Sequence, residues 1–119
     1  MMDGKRILYA EDEFTNRKIM EIQCRKFGIE CVLEEDGTRA LDRCLRESFD
    51  LVILDQYMPG LNGDEVAREL KTVRSDQPLV AITSDDSCVS RLKGIGFDAV
   101  FVKPLRAADY KNLLETYLS

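Results

Sequence analysis

Residues Leu51 to Gly60 read LVILDQYMPG. An unbroken apolar run, Leu51–Leu54, leads directly into the carboxylate of Asp55, and Met58-Pro59-Gly60 then marks a turn. A short continuous apolar run bounded by a turn signal reads as a strand buried on both faces. Such a strand belongs to a parallel sheet covered by helices on either side. A charge has no place inside it, so Asp55 must sit where the strand leaves the core.

Outward from this run, four more apolar segments punctuate the chain: Arg6–Ala10, Cys31–Leu33 with its flanks, Leu79–Ile82 and Ala99–Val102. The intervening segments have helical spacing. Ile19, Met20, Cys24 and Phe27 form one stripe, Leu41, Cys44 and Leu45 a second, and Val66, Leu70 and Val73 a third. Tyr110, Leu113, Leu114, Tyr117 and Leu118 form the last, while the stripe before Gly94 and Gly96 is the weakest. Gly28 is placed to end the first helix and Asp36-Gly37 to turn into the second, and Asn62-Gly63-Asp64 precedes the third, with Asp64 near its N-cap. Pro104 follows the fifth strand, where a helix can start but a central strand cannot continue.

Strand and helix thus alternate along the whole chain. This predicts an α/β fold, a flavodoxin-like (βα)5 doubly wound parallel sheet of strand order 2-1-3-4-5. With 119 residues, no repeat and no linker, a single domain over residues 1–119 is expected. The composition, 45% hydrophobic and 33% charged, is that of a globular protein able to bury a core without disulfides or metals. No apolar run is long enough to span a bilayer, and the first residues lack a signal-peptide core, so a cytoplasmic location is expected. A net charge of −5 argues against direct nucleic-acid binding. Cys24, Cys31, Cys44 and Cys88 form no C-x-x-C pair and there is no histidine, which disfavours zinc and leaves the cysteines as small apolar residues.

In doubly wound sheets, ligands bind at the carboxyl ends of the strands near the switch point between strands 1 and 3. Glu11-Asp12-Glu13 follows strand 1, Asp55 follows strand 3, Thr83-Ser84 follows strand 4 and Lys103-Pro104 follows strand 5. Each has a bland reading: a solvated loop, a turn residue, a helix cap, a surface lysine. Together they place acids, hydroxyls and a lysine at four strand exits. Two unit charges about 4 Å apart repel by roughly 4 kcal/mol at an effective dielectric near 20. Lys103 offsets part of this, and a hard divalent cation, Mg²⁺ or alternatively Mn²⁺, suits the oxygen donors. Carboxylates, a metal, a hydroxyl and a lysine fit phosphoryl transfer, with Asp55 as the nucleophile that forms an acyl phosphate.

These residues resemble the receiver domain of two-component response regulators. The resemblance rests on Glu11-Asp12, on Asp55 with Met58-Pro59-Gly60 and Gly63, on Thr83-Ser84 and on Lys103-Pro104, and it covers essentially the full chain. The stretch EDEFTNRK, Glu11–Lys18, is similar to receivers attached to hybrid sensor kinases. The resemblance implies a phosphorylation-controlled switch. Asp55 takes a phosphoryl group from a phosphohistidine of a histidine kinase or a histidine phosphotransfer protein. Asp12, Asp55 and the Tyr57 carbonyl bind Mg²⁺, with Glu11 binding directly or through water. Lys103, Thr83 and the Ser84 N–H contact the phosphoryl group. A downstream protein target is expected on helix 4, strand 5 and helix 5, built from Ser87–Lys93, Val100–Lys103 and Ala107–Leu118.

Four positions depart from the common pattern. Glu11 stands where many members have Asp, and Tyr57 and Asp85 occupy the two sites that modulate hydrolysis of the acyl phosphate. Val100 stands where many carry a switching aromatic, and Phe101, one residue later, is expected on the opposite face of its strand. Three other readings were weighed. One is a receiver that docks proteins without being phosphorylated. Another is an aspartyl-phosphate phosphatase, disfavoured because Tyr57 stands where such enzymes place a general acid. The third is a flavin or nucleotide module, disfavoured because Glu11-Asp12-Glu13 would repel a phosphate.

Overall fold

A computed structural model describes residues 2–119. Five strands, β1 (Arg6–Ala10), β2 (Glu30–Glu34), β3 (Leu51–Asp55), β4 (Leu79–Thr83) and β5 (Ala99–Val102), alternate with α1 (Phe14–Lys26), α2 (Gly37–Arg46), α3 (Gly63–Val73), α4 (Val89–Ile95) and α5 (Ala107–Leu118). All pairings are parallel and the order is β2-β1-β3-β4-β5, the α/β arrangement expected from the alternation.

The two faces of the sheet follow from the period of two along each strand. Leu8, Ala10, Val52, Leu54, Leu79 and Ala81 point to one side, where they pack with Ala40, Cys44, Val66, Leu70 and Leu92 from α2, α3 and α4. Ile7, Tyr9, Leu51, Ile53, Val80 and Ile82 point to the other, against Met20 and Cys24 of α1 and Leu113, Leu114 and Leu118 of α5. Every residue of β3 and β4 is buried, so polar chemistry in this region is confined to the strand exits. Cys24, Cys44 and Cys88 are buried and Cys31 is half-buried, all four as free thiols. Burial pushes the Cys44 thiol up to about 12, which keeps it protonated and apolar in behaviour.

The elements differ from expectation in particular places. Ile19, Leu45 and Val73 lie at the edge of their helical stripes and are exposed rather than packed in the core. The cap of α3 is Asn62, not Asp64: the Glu65 carboxylate accepts the Asn62 N–H at 2.8 Å, and Asp64 lies inside the first turn. The segment after β4 opens with a 3₁₀ turn, Asp86–Cys88, and only then becomes α4, whose weak apolar stripe includes one fully buried residue, Leu92. Pro104 does not start α5. It follows Lys103 through a cis peptide bond, and the helix begins at Ala107 after Arg106.

Two glycines hold the loop after β3 against the sheet. A Cβ on Gly63 would stand 2.5 Å from the Asp55 carbonyl oxygen, and one on Gly37 would stand 1.8 Å from that of Leu61. The bonds made through this closeness are Gly63 N–H to Gln56 O at 2.9 Å and Gly37 N–H to Pro59 O at 3.0 Å. The turn beyond Asp55 is thereby fixed in place.

Candidate functional site at the strand exits

β1 and β3 are neighbours, paired Ala10 to Leu54, so the residues that follow them emerge side by side. Glu11, Asp12 and Asp55 each present a carboxylate oxygen, and these three oxygens lie within 4.8 Å of one another. Glu11 is fully buried, Asp55 is 5% exposed and Asp12 faces solvent. The site therefore has two desolvated acids beneath one wet one.

Lys103 reaches into this group from the exit of β5. Its Nζ lies 2.6 Å from Glu11 Oε1 and 3.1 Å from Asp55 Oδ2. Glu11 has further donors. Tyr9 Oη donates to Oε1 at 3.1 Å, and the Glu13 N–H to Oε2 at 3.2 Å. The Asn16 amide lies 3.5 Å from Oε1, and Arg17 Nη1 donates to the Glu11 carbonyl at 2.9 Å. Tyr9 and Glu11 are two residues apart on one strand direction, which puts both on the same side.

These contacts set the charge states. Burial pushes the Glu11 pKa up, but Lys103 and the Glu13 N–H outweigh it and hold that pKa below the usual carboxylate range. Asp55 moves the other way. Burial first and the neighbouring Glu11 charge second raise it to about 7, and Lys103 offsets only part of this. Burial disfavours charge on Lys103, yet the two carboxylates hold its ammonium above the ordinary lysine value. One lysine does not neutralise two buried acids, so the pair holds its last proton to a pH well above the ordinary carboxylate range.

Asp55 pairs with Ile82 in the β3–β4 register, so Thr83 stands one step beyond it on the adjacent strand. Thr83 is fully buried. Its Oγ1 accepts the Asp85 N–H at 3.1 Å and lies 3.7 Å from the Cys88 sulfur, on the α4 side of the site. Ser84 is exposed and, with Tyr9, Asn16, Ile19, Lys103 and Leu105, lines a cavity of about 390 Å³ beside the acids. A larger hollow of about 630 Å³, lined by Met2, Phe27 and Glu115, lies at the other edge of the sheet and has no part in this chemistry.

Tyr57 is half exposed, and its hydroxyl donates to Asp85 Oδ2 at 3.1 Å. Val100 packs with the α2–α4 layer, whereas Phe101 packs with the α1–α5 layer. The aromatic thus faces away from Thr83, as the alternation along β5 requires.

The structure brings Glu11, Asp12, Asp55 and Lys103 together. Sequence reasoning did not single out Tyr9, Gln56 or Cys88. Tyr9 carries a polar tip inside an apolar strand, a signal that was present. Gln56 is 2% exposed, and its Oε1 accepts the Asp64 N–H at 3.0 Å. Nothing in the sequence distinguishes it from a surface glutamine.

The response regulator receiver domain model matches residues 7–115. Among curated proteins, the autoinducer 2 sensor kinase/phosphatase LuxQ of Vibrio vulnificus is 32% identical over 93% of this chain and 13% of its own length. The sensor protein EvgS of Escherichia coli is 32% identical over 95% of this chain and 9% of its own length. The chain therefore spans a small part of these sensor proteins. Among solved structures, the response regulator protein TrrA of Thermotoga maritima, in complex with Mg²⁺-BeF, is 32% identical. It superposes with a TM-score of 0.88 over 96% of this chain and 99% of that one. The chain, with its parallel sheet and its acids gathered at the strand exits, belongs to the response regulator receiver domain family.

Proposed function

We propose that residues 1–119 act as a single receiver that accepts a phosphoryl group on Asp55 from a phosphohistidine of a sensor kinase or phosphotransfer protein. The observation that carries this reading is the charge imbalance: Glu11, Asp12 and Asp55 gather their carboxylates, one lysine pairs with Glu11 and Asp55, and Asp55 is pushed up to about 7. Such a site is built to take on positive charge. The donor set, all oxygen and partly wet, fits Mg²⁺ or Mn²⁺. Asp12, Asp55 and the Tyr57 carbonyl would hold the cation, with Glu11, whose oxygens already serve Tyr9, Lys103 and Glu13, acting through water. Bound there, the cation neutralises phosphoryl oxygens.

In the transfer an Asp55 oxygen attacks phosphorus and the bond from phosphorus to the donor imidazole breaks. Its electron pair stays with the imidazole nitrogen. Asp55 must be ionised to attack, and Lys103 favours that form. Lys103 then pairs with the phosphoryl group, and the Thr83 hydroxyl and the Ser84 N–H bond its remaining oxygens. Ile19 of α1 lines the cavity that opens onto Lys103, and Phe14 and Ile22 of the same helix are exposed, which gives the donor protein apolar surface on α1.

The output is a change in protein contacts at α4, β5 and α5, where a downstream protein target binds. The chain works on itself rather than on a turnover substrate. No helix among the described residues is long and apolar enough to cross a membrane, and the reading places the receiver in the cytoplasm.

The test is intact mass after incubation with acetyl phosphate and Mg²⁺, beside Asp55→Asn and a metal-free control. The expected result is one added phosphoryl group that requires both Asp55 and the metal. No gain from acetyl phosphate or from a phosphohistidine donor would refute the reading and favour a docking module.

A further inference from the structure

Two residues beyond Asp55 and two residues beyond Thr83, the loops after β3 and β4 are fastened to each other. Tyr57 Oη donates to Asp85 Oδ2 at 3.1 Å. The other oxygen of Asp85 is occupied by Ser87, through its N–H at 3.0 Å and through its hydroxyl, at the start of the 3₁₀ turn. The Asp85 N–H in turn holds Thr83 Oγ1 at 3.1 Å. A second tie runs parallel to the first: Arg91 Nη1 of α4 lies 2.8 Å from Asp64 Oδ2 of α3, and Asp64 is bonded back to Gln56 beside Asp55. The chain Tyr57–Asp85–Thr83 thus crosses outside the exits of two adjacent strands, between the Asp55 loop and the threonine.

We propose that Tyr57 and Asp85 form a clasp that holds the Thr83 hydroxyl on the α4 side of the site, and that the clasp must open before Thr83 can reach a group on Asp55. This rests on the phosphoacceptor reading above. In that reading the side chains of Tyr57 and Asp85 act by positioning: they touch no reacting atom and set where Thr83 and the start of the 3₁₀ turn stand, while the Tyr57 carbonyl keeps its separate part in holding the cation. A ligand that binds only the open arrangement is weakened by the fraction of chains held closed. The clasp is therefore a threshold on the switch. It sits at two positions where this chain carries a hydroxyl donor and a carboxylate acceptor matched to each other. It also gives β4 a latch in a chain whose β5 aromatic, Phe101, is turned to the far face.

The experiment is a titration of the full chain with beryllofluoride and Mg²⁺ as a stand-in for the phosphoryl group. Wild type is compared with Tyr57→Phe, Asp85→Ala and the double variant. Tyr57→Phe removes one hydroxyl, changes no charge and keeps the ring, so it is the decisive arm. One net hydrogen bond corresponds to a tightening of roughly two- to tenfold. The double variant should gain no more from losing Tyr57 Oη than Asp85→Ala already does. In parallel, hydrogen exchange at the Asp85 amide, with no ligand present, reads the bond to Thr83 directly and should quicken by a similar factor in Tyr57→Phe. Unchanged or weaker binding in Tyr57→Phe, independent effects in the double variant, or unchanged exchange at Asp85 overturns the clasp. If wild type and every variant fail to bind beryllofluoride, the phosphoacceptor reading fails instead, and the amide exchange still decides whether the clasp exists.

Discussion

Asp55→Asn should make the metal-free chain more stable, and the gain should follow pH in a defined way. In the folded chain, burial and Glu11 raise Asp55 from an ordinary value near 3.8 to about 7. The folded state thus binds this proton more tightly than the unfolded state. The stability it contributes is fully present below about pH 4 and is lost as pH rises through about 7. Roughly three pH units at about 1.4 kcal/mol each give about 4 kcal/mol. Relaxation around the ionised group reduces this to about 2–4 kcal/mol. Asparagine has the same shape, no charge and a carbonyl that still accepts from Lys103, so it escapes the loss.

The assay is urea unfolding followed by far-UV circular dichroism in the presence of a chelator, across the range from about pH 4 to about pH 8. The quantity of interest is the difference between variant and wild type, because the carboxylates away from the site titrate in both and cancel. The difference should be near zero at the acid end, grow through the window and level off above about pH 7. Added Mg²⁺ should then stabilise wild type more than the variant and close the gap. A difference that does not change with pH, or a variant less stable than wild type above pH 7, would refute the claim that Asp55 is the under-neutralised acid of the site.

Lys103→Met leaves Glu11 and Asp55 facing each other without a cation. It should cost about 2–4 kcal/mol above pH 7 and much less once the acids are protonated, with Mg²⁺ recovering part of the loss in the same unfolding assay. Asp12→Ala removes an exposed carboxylate, so calorimetry should show Mg²⁺ affinity falling by about tenfold or more while the metal-free unfolding free energy in urea stays within about 0.5 kcal/mol of wild type. Gly37→Ala drives a methyl group into the Leu61 carbonyl, 1.8 Å away. Overpacking against backbone should cost about 1–3 kcal/mol in urea and loosen the loop that carries Tyr57.

The fold was legible because each strand is a compact apolar run closed by a turn residue, and the helices between them carry stripes of the right period. β3 reads this way most clearly, and all five of its residues are buried. The site was legible for a related reason: its residues sit immediately after strands, so the strand assignment alone places them on one edge. What the sequence concealed depends on pairs far apart along the chain. Tyr57 and Asp85 are 28 residues apart, and neither residue type announces a partner. Glu11 looks like part of a solvated acidic loop, yet it is fully buried, because Tyr9, Asn16 and a lysine 92 residues away satisfy it. Ile19, Leu45 and Val73 have helical spacing but lie at the stripe edge, and periodicity does not separate an edge from a core. The start of α4 was blurred because Asp85 caps a 3₁₀ turn before the helix proper.

The position of Lys103 explains why such a site can switch at all. β5 is the edge strand, separated from β3 by β4, and adjacent strands lie about 4.8 Å apart. Lys103 must therefore extend across the exit of β4 to meet Asp55 and Glu11. In doing so it closes one side of Asp55, while Tyr57, two residues on, ties the loop after β3 to Asp85. In the proposed reading, a phosphoryl group on Asp55 would compete for both closures at once. It would draw Lys103 toward itself and offer the Thr83 hydroxyl proton a charged acceptor, where Thr83 Oγ1 now accepts the Asp85 N–H. Each of these contacts is worth at most a few kcal/mol. The covalent group adds charge of comparable strength at one point. On that reading the closed arrangement would be stable enough to rest in and weak enough to be reversed by a single transfer, the energetic balance that a two-state switch requires.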